Sequence, residues 1–145
     1  MANPEHLAKL KEGVEAWNKW VEQNSELALD LSWADLSGTQ LRGASLVRAN
    51  FKEANLSSTD LSASNLTQAY MDNAYFVGAD LSSANLTKAK LPGANLSESK
   101  LSGVCLFDAD LSRSNLTHAY FGRANLNKAN LSEAVLRRAH PILLA

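Results

Sequence analysis

The side chains of this sequence best suited to chemistry are one thiol, Cys105, and three imidazoles, His6, His118 and His140. A thiolate nucleophile needs a base within hydrogen-bond reach, and a protein zinc site needs three or four clustered ligands. These residues are too widely spread to indicate either arrangement, and the sequence contains no G-x-G-x-x-G, Walker, G-x-S-x-G or H-E-x-x-H motif. We therefore nominate no catalytic, cofactor-binding or metal-ligating residue and expect a protein that is not an enzyme and has no cofactor.

Composition narrows the function classes further. The 145 residues include 14 Lys plus Arg and 15 Asp plus Glu, a formal net charge of −1. Such a balance gives no support for a strongly basic nucleic-acid binder. The sequence has no apolar run of about 18 residues and begins without the pattern of a signal peptide. We expect a cytoplasmic protein that does not enter a membrane.

An uninterrupted repeat of five residues runs along most of the chain. From Leu31 to Leu136 every fifth residue is apolar, giving 18 Leu, 3 Phe and 1 Met at 22 centre positions. A small residue stands two positions before the centre, Asn or Asp often stands one before it, and Ser or Thr often follows it. Ala54-Asn55-Leu56-Ser57-Ser58 is a typical unit.

Regular helices and flat strands cannot use this period. On an α-helix a step of five residues rotates by about 140°, which scatters the leucines around the axis. On a flat strand an odd step sends successive leucines to opposite faces. If the chain turns once per unit, every leucine points toward the same axis. Asn, Asp, Ser and Gly are typical of such recurring turns. The sequence therefore predicts a coil whose turns stack on one another.

These units resemble the pentapeptide-repeat family, whose motif is A(D/N)LxX. The resemblance implies an all-β solenoid, a right-handed quadrilateral parallel β-helix with four repeats per coil and about 5.5 coils. It also implies that the centre and the small residue two before it point inward. The inward hydroxyls of Thr39, Thr59, Ser64, Ser99 and Ser114 then need backbone acceptors. Val104, the bulkiest residue at the small position, predicts a local bulge.

Residues 1–29 differ from the repeat and predict an N-terminal α-helical cap. Asn3 suits an N-cap and Pro4 the first helical position of a helix over about residues 4–23. A stacked coil leaves an open apolar end, which this helix is suited to cover. A membrane-surface helix is the alternative, although acidic residues outnumber lysines there. The segment Gly13–Trp20 resembles the leader helix of cyanobacterial-type members. We expect the β-helix over residues 30–140 and a tail over 141–145.

Outward positions filled by apolar or aromatic residues are the candidate interaction sites. Tyrosine is enriched in binding hot spots, whereas stacking along a column is the simpler explanation. The candidates are Tyr70, Tyr75, Val77, Phe107 and Tyr120. Tyr70, Tyr75 and Val77 are expected to cluster in one coil, on two adjoining sides.

The C-terminal end poses the same capping problem as the first coil. The resemblance implies that such ends often meet in dimers, so Leu136, Ile142, Leu143 and Leu144 are candidates for assembly. A tail that folds back over its own last coil is equally compatible with the sequence.

Two functions remain open from the sequence. The first is a rigid scaffold for protein–protein interaction with an unknown partner. The second, implied by the resemblance, is a DNA mimic that inhibits or protects DNA gyrase or another nucleic-acid enzyme. Mimicry needs an extended negative surface, but residues 30–140 carry 10 acidic and 11 basic residues. Residues 20 apart form six pairs of opposite charge and one of like charge, so we favour the scaffold.

Overall fold

The computed structural model describes residues 1–140, which form two helices followed by a four-sided coil. Helix α1 spans Pro4–Lys11 and α2 spans Val14–Gln23. From Asp30 to His140, 19 parallel bridges join residues that are 20 apart, beginning with Asp30 to Asn50. Each side of a coil contributes a single bridging residue instead of a longer strand. Four pentapeptides therefore complete one turn, and the residues 20 apart stack in columns.

The backbone conformation within each repeat is nearly constant. The N–H of Leu31 donates to Asn50 O of the next coil at 2.7 Å, and the N–H of Ala34 closes a turn onto Leu31 O at 3.3 Å. The residue two after each centre is left-handed: 17 non-glycine residues have φ between 54° and 62°, and five glycines occupy the other sites. A positive φ at the third residue is the signature of a type II turn. Because this turn recurs every five residues, each coil of 20 residues has four corners and a square cross-section.

The centre residues form the core predicted from their spacing. All 19 from Leu31 to Phe121 are buried, together with most of the small residues two positions before them. Alanine at that site leaves room for the large centre side chains to meet inside a narrow tube. The buried hydroxyls also find acceptors, since Ser99 Oγ donates to Leu96 O at 2.6 Å and Thr59 Oγ1 donates to Leu36 O at 2.8 Å.

Val104 does not produce the expected bulge. It is fully buried, and its N–H donates to Leu101 O at 3.2 Å as in the neighbouring repeats. The next residue, Cys105, forms bridges with Asn85 and Asn125, so the register of 20 residues is kept in both directions. The prediction was wrong because the interior accommodates two extra methyl groups without moving the backbone.

Asn or Asp before the centre and Ser or Thr after it act as a pair. Asp35 Oδ1 accepts from the N–H of Ser37 at 3.1 Å and from its hydroxyl at 2.7 Å. Asn65 makes the same two hydrogen bonds with Thr67. Such side-chain bonds to the backbone two residues ahead hold turns in place. The two polar preferences of the repeat thus have one structural cause.

The N-terminal segment forms two helices, whereas the sequence predicted one over residues 4–23. The break lies at Gly13, whose φ of 111° cannot continue a helix. The bend directs Leu10 and Trp17 onto the first coil, where both are buried. Asn3 caps α1, with its side chain accepting from the N–H of Glu5 at 2.9 Å.

The two helices also pair with the polar groups at the open edge of the first coil. The N–H of Asp30 donates to His6 Nδ1 at 3.0 Å, and Asn3 N–H donates to Asp30 O at 2.9 Å. The indole N–H of Trp17 donates to Ser45 O at 2.8 Å. The helices therefore cover both the apolar interior and part of the backbone edge. Within residues 1–140, no helix is long and apolar enough to cross a membrane.

Candidate interaction surface

Large apolar side chains that stay exposed are concentrated near the first three coils. Elsewhere the outward positions are mostly polar, as expected for a solvated solenoid. The exposed side chains near this end, after the first residue, are Leu27, Trp33, Val47, Tyr70 and Tyr75; the others lie at Tyr120, Val135 and Leu136.

Tyr70 borders a depression of about 520 Å³ between the end of α2 and the first coils. We call it the Tyr70 groove. Its apolar wall comes from Val21, Leu27 and Val47, and Arg48 lies at its edge. Because α2 packs on one end of the solenoid, this groove combines residues from three separate parts of the chain.

A cationic region continues from Tyr70 toward the later coils. Arg48, Lys88 and Lys90 line one shallow depression with Tyr70, where Asp108 is the single carboxylate. Lys90 Nζ lies 5.6 Å from the centre of the Tyr70 ring, within the range of a cation–π contact. Tyr70 therefore lies between an apolar surface and a cationic one.

Tyr75 belongs to a different depression, of about 360 Å³, which we call the Trp33 groove. Its walls include Trp33, Asp35, Glu53 and Asn55 together with Tyr75. It shares no lining residue with the Tyr70 groove. The two tyrosines expected to cluster in one coil thus serve separate grooves, divided by a corner of the coil. Val77 is half-buried and lines neither groove.

The remaining sequence candidates lie away from both grooves. Phe107 is half-buried, with Lys128 Nζ 5.6 Å from its ring centre. Tyr120 stacks on His140 at 4.1 Å with the rings 8° from parallel. For Tyr120 the arrangement is the column stacking that the sequence offered as the simpler explanation.

Sequence reasoning missed Trp33, Val47 and Leu27. Trp33 and Val47 occupy outward positions of the repeat, so their residue types alone could have identified them. Leu27 lies between α2 and the first repeat, where no periodicity assigns a direction to its side chain.

Within residues 1–140, no further coil stacks on the C-terminal end of the solenoid. Burial is lost after Phe121, and Val135 and Leu136 are 47% and 45% exposed. Within residues 1–140, the N–H groups of Leu131 and Leu136 find no acceptor. The last 20 of these residues carry four cations and one carboxylate, at Arg123, Lys128, Arg137, Arg138 and Glu133. Ile142, Leu143 and Leu144, the other candidates for assembly, lie outside the described residues.

The hydrogen bonds of the aspartates on the solenoid surface are made mainly with residues of their own turn. The hydrogen bonds from the Ser62 hydroxyl and N–H hold the pKa of Asp60 below its usual value, and those of Ser37 do the same for the pKa of Asp35. Both salt bridges found within residues 1–140 lie in the N-terminal helical segment, at Lys9–Glu12 and Lys19–Glu15. The opposite charges expected in neighbouring coils therefore do not close into direct pairs.

Cys105 and His118 do not form a reactive arrangement. Cys105 is half-buried with its Sγ 3.3 Å from Thr87 Oγ1, and His118 is exposed on another side of the coil. Neither residue lines one of the grooves described above.

Comparison with solved structures finds one with a TM-score above 0.5, which shows the same fold, among those described next. The chain is similar to a pentapeptide repeat protein (Rfr23) from the cyanobacterium Cyanothece 51142, with 24% identity and a TM-score of 0.58, over 81% of this chain and 92% of that one. A pentapeptide repeat protein from the Arabidopsis thaliana thylakoid lumen is 32% identical, with a TM-score of 0.41, over 71% and 61% of the two chains. QnrB1, a plasmid-mediated fluoroquinolone resistance protein, is 20% identical, with a TM-score of 0.28, over 80% and 79%. A search of curated proteins gives no match.

The family of pentapeptide repeats matches residues 30–68, 64–103 and 105–140, in eight copies. These ranges cover most of the chain and coincide with the bridged coils. The fold is accordingly the right-handed quadrilateral β-helix of that family, with an N-terminal helical cap. This chain belongs to the pentapeptide-repeat family.

Proposed function

We propose that the protein is a non-enzymatic cytosolic scaffold that binds another protein through its first three coils. The observation that carries this proposal is the concentration of Leu27, Trp33, Val47, Tyr70 and Tyr75, all exposed, around two neighbouring grooves. Exposed tyrosine and tryptophan supply much of the binding free energy in protein interfaces.

The solenoid suits this role because it holds the exposed side chains rigidly. Each side of an interior coil is hydrogen-bonded to the coils above and below it, as in the bonds of Phe51 N–H to Tyr70 O and Tyr70 N–H to Ala49 O. A surface whose backbone is fixed before binding loses little conformational entropy when a partner docks. The interface then depends on which side chains stand at the outward positions.

Replacing the exposed tyrosines tests the proposal directly. Tyr70→Asn and Tyr75→Asn introduce the residue that the repeat prefers at that position, so the fold should be retained. We expect the double variant to capture much less partner from a native lysate, followed by mass spectrometry. Tyr120→Asn is the matched control because Tyr120 is similarly exposed but distant from both grooves. Equal capture by the double variant and the wild type would exclude this interface.

Mimicry of DNA remains the second function suggested by the sequence, and the charge distribution argues against it. Residues 1–80 carry eleven acidic and six basic residues, whereas residues 81–140 carry four and eight. A DNA mimic needs negative charge along its whole length, because a duplex repeats its charge with a fixed spacing. Inhibition or protection of DNA gyrase in a supercoiling assay would overturn this argument.

Assembly through the open C-terminal end is a separate part of the proposal. The exposure of Leu136, and the N–H groups of Leu131 and Leu136 that find no acceptor within residues 1–140, support docking of a second copy there, or of the chain's own tail. Light scattering on the full chain and on a chain ending at His140 distinguishes the two. Loss of a dimer on truncation supports pairing through the tail, and two monomers exclude a homodimer.

A further inference from the structure

The Trp33 groove lies at a corner between two adjoining sides of the first three coils. On one side of the corner, Trp33 and Glu53 stack in a column; on the other, Asp35, Asn55 and Tyr75 form the next column. Asp35 is bridged to Asn55 and Asn55 to Tyr75, so the register of the second column is fixed by the backbone.

The register separates the two aromatic residues by two coils. At about 4.8 Å per coil, the backbones of Trp33 and Tyr75 are roughly 10 Å apart along the axis. Glu53 and Asn55 of the middle coil lie between them and are half-buried. The groove therefore has an aromatic residue at each end and a carboxylate near its centre. Its volume of about 360 Å³ is at the small end for ligand pockets and suits one long side chain.

The two carboxylates of the groove are available to a ligand. Asp35 uses only Oδ1 for its hydrogen bonds to Ser37, and those bonds hold its pKa low, so it stays ionised. Glu53 forms no salt bridge with any residue in 1–140. Lys11 of α1 acts electrostatically on Asp35, and Lys11, Asp35 and Glu53 together carry one net negative charge.

The combination of aromatic and acidic groups selects among ligands. An apolar side chain would have to remove water from two carboxylates without compensation, and an anion would be repelled by them. A guanidinium or ammonium group gains both a cation–π contact with the rings and an ion pair with a carboxylate. The acidic excess of residues 1–80 attracts the same kind of ligand over longer distances.

We infer that the Trp33 groove binds the cationic side chain of an arginine or lysine from an extended segment of a partner protein. The inference rests on the proposed scaffold function and identifies the chemistry of one of its contacts. The cation lies between Trp33 and Tyr75, with Glu53 as its principal ion-pair partner and Asp35 as the second.

The indole N–H signals of the three tryptophans provide a direct measurement. The probe is a capped peptide, Gly-Ser-Arg-Ser-Gly, titrated into the full-length ¹⁵N-labelled protein; a peptide with citrulline in place of arginine is the control. We expect the signal of Trp33, which is 60% exposed, to shift saturably with the arginine peptide. The signal of the fully buried Trp17 should not move and reports that the cap is intact.

Variants separate the contributions of charge and ring. Glu53→Gln keeps the shape of the side chain, and we expect it to weaken binding of the arginine peptide about fivefold. Tyr75→Asn should weaken it by a similar factor, whereas Tyr120→Asn should leave it unchanged. Equal binding of the citrulline peptide, unchanged affinity of Glu53→Gln, or no shift at all would overturn the inference.

The result also distinguishes this inference from the proposed function. If the arginine peptide gives no shift while Tyr70→Asn with Tyr75→Asn abolishes partner capture, the scaffold stands and the cationic ligand is wrong. If the peptide binds but capture is unaffected by those substitutions, the groove recognises cations and the partner interface lies elsewhere.

Discussion

The side chain of Asn18 in α2 hydrogen-bonds to the backbone edge of the first coil, on the side where no other coil stacks. Its Nδ2 donates to Gly43 O at 3.1 Å, and its Oδ1 accepts from the N–H of Ser45 at 2.8 Å. The Asn18 oxygen thus accepts from Ser45 as a carbonyl of a further coil would, in the way that Ala44 O accepts from the N–H of Asn65. We predict that Asn18→Leu, which removes both bonds at similar size, destabilises the protein by about 2 kcal/mol.

The magnitude follows from the exposure of the two backbone groups. An orphaned buried donor or acceptor costs about 1–3 kcal/mol, and less where water can reach it. Gly43 O is at an exposed contact, so its contribution is at the low end, whereas the N–H of Ser45 is partly buried. Asn18→Asp keeps an acceptor for Ser45 and loses only the donor to Gly43, so we expect about half the effect.

Two measurements check this prediction. The urea midpoint should fall in the order wild type, Asn18→Asp, Asn18→Leu, and amide exchange at Ser45 should accelerate about 30-fold in Asn18→Leu. Lys19→Ala is the control, because Lys19 is exposed and its side chain forms a surface salt bridge with Glu15, at 3.5 Å. A wild-type midpoint together with unchanged exchange at Ser45 in Asn18→Leu would show that the two Asn18 hydrogen bonds do not stabilise the cap.

Three further predictions concern the turns, the acid range and the open end. Ala63 has a φ of 56° and is exposed, so Ala63→Gly should raise the free energy of unfolding by about 0.5–1 kcal/mol in urea titrations. Because the Ser62 hydrogen bonds lower the pKa of Asp60, their stabilisation is present above the unfolded pKa of about 3.9 and is lost as the pH falls through the lower folded value. Asp60→Asn keeps an acceptor without titrating, so its urea midpoint should vary less with pH below about 4. Pairing of two open ends would bring like charges together, so sedimentation should show stronger self-association in about 0.5 M than in about 0.05 M salt. Arg137→Glu should reduce that salt dependence, and association that weakens with salt would contradict end-to-end pairing.

The sequence predicted the solenoid because one physical constraint fixes it. A five-residue apolar period can be buried only if the backbone turns in every unit, and Leu31 to Phe121 are buried accordingly. The inward hydroxyls were predictable for a similar reason, since Ser64 and Ser99 have no alternative to a backbone acceptor inside the tube. These properties depend on the repeat and not on individual neighbours.

The break at Gly13 and the grooves could not be predicted in the same way. A glycine within an apolar stripe is tolerated in many helices, and only the position of the first coil requires the chain to bend there. Trp33 and Tyr75 meet at one groove because their separation of 42 residues equals two coils plus two residues. The Tyr70 groove depends in addition on where α2 packs, which no repeat determines.

The pattern of opposite charges 20 residues apart predicted side-chain contacts less well than the apolar pattern predicted the buried core. Lys52 and Asp72 stand in neighbouring coils, yet no cross-coil pair of this kind closes to a salt bridge within residues 1–140. Exposed long side chains gain little from pairing because water screens the charges and ordering costs entropy. The pattern therefore describes the net charge of a surface better than its contacts.

Trp33 combines an exposed aromatic ring with a backbone conformation that favours glycine. Its φ of 62° lies in the left-handed region, which costs a bulky residue about 1 kcal/mol relative to glycine. The residue is 60% exposed, so the covered part, on the order of 100 Å², contributes about 2 kcal/mol that truncation removes. Trp33→Gly and Trp33→Ala both lose this burial, but only glycine relieves the backbone strain. We predict that both variants abolish binding of the arginine peptide and that the urea midpoint of Trp33→Gly lies above that of Trp33→Ala. Equal midpoints would show that the left-handed conformation carries no cost at this position, and retained peptide binding would show that the ring is not part of the site.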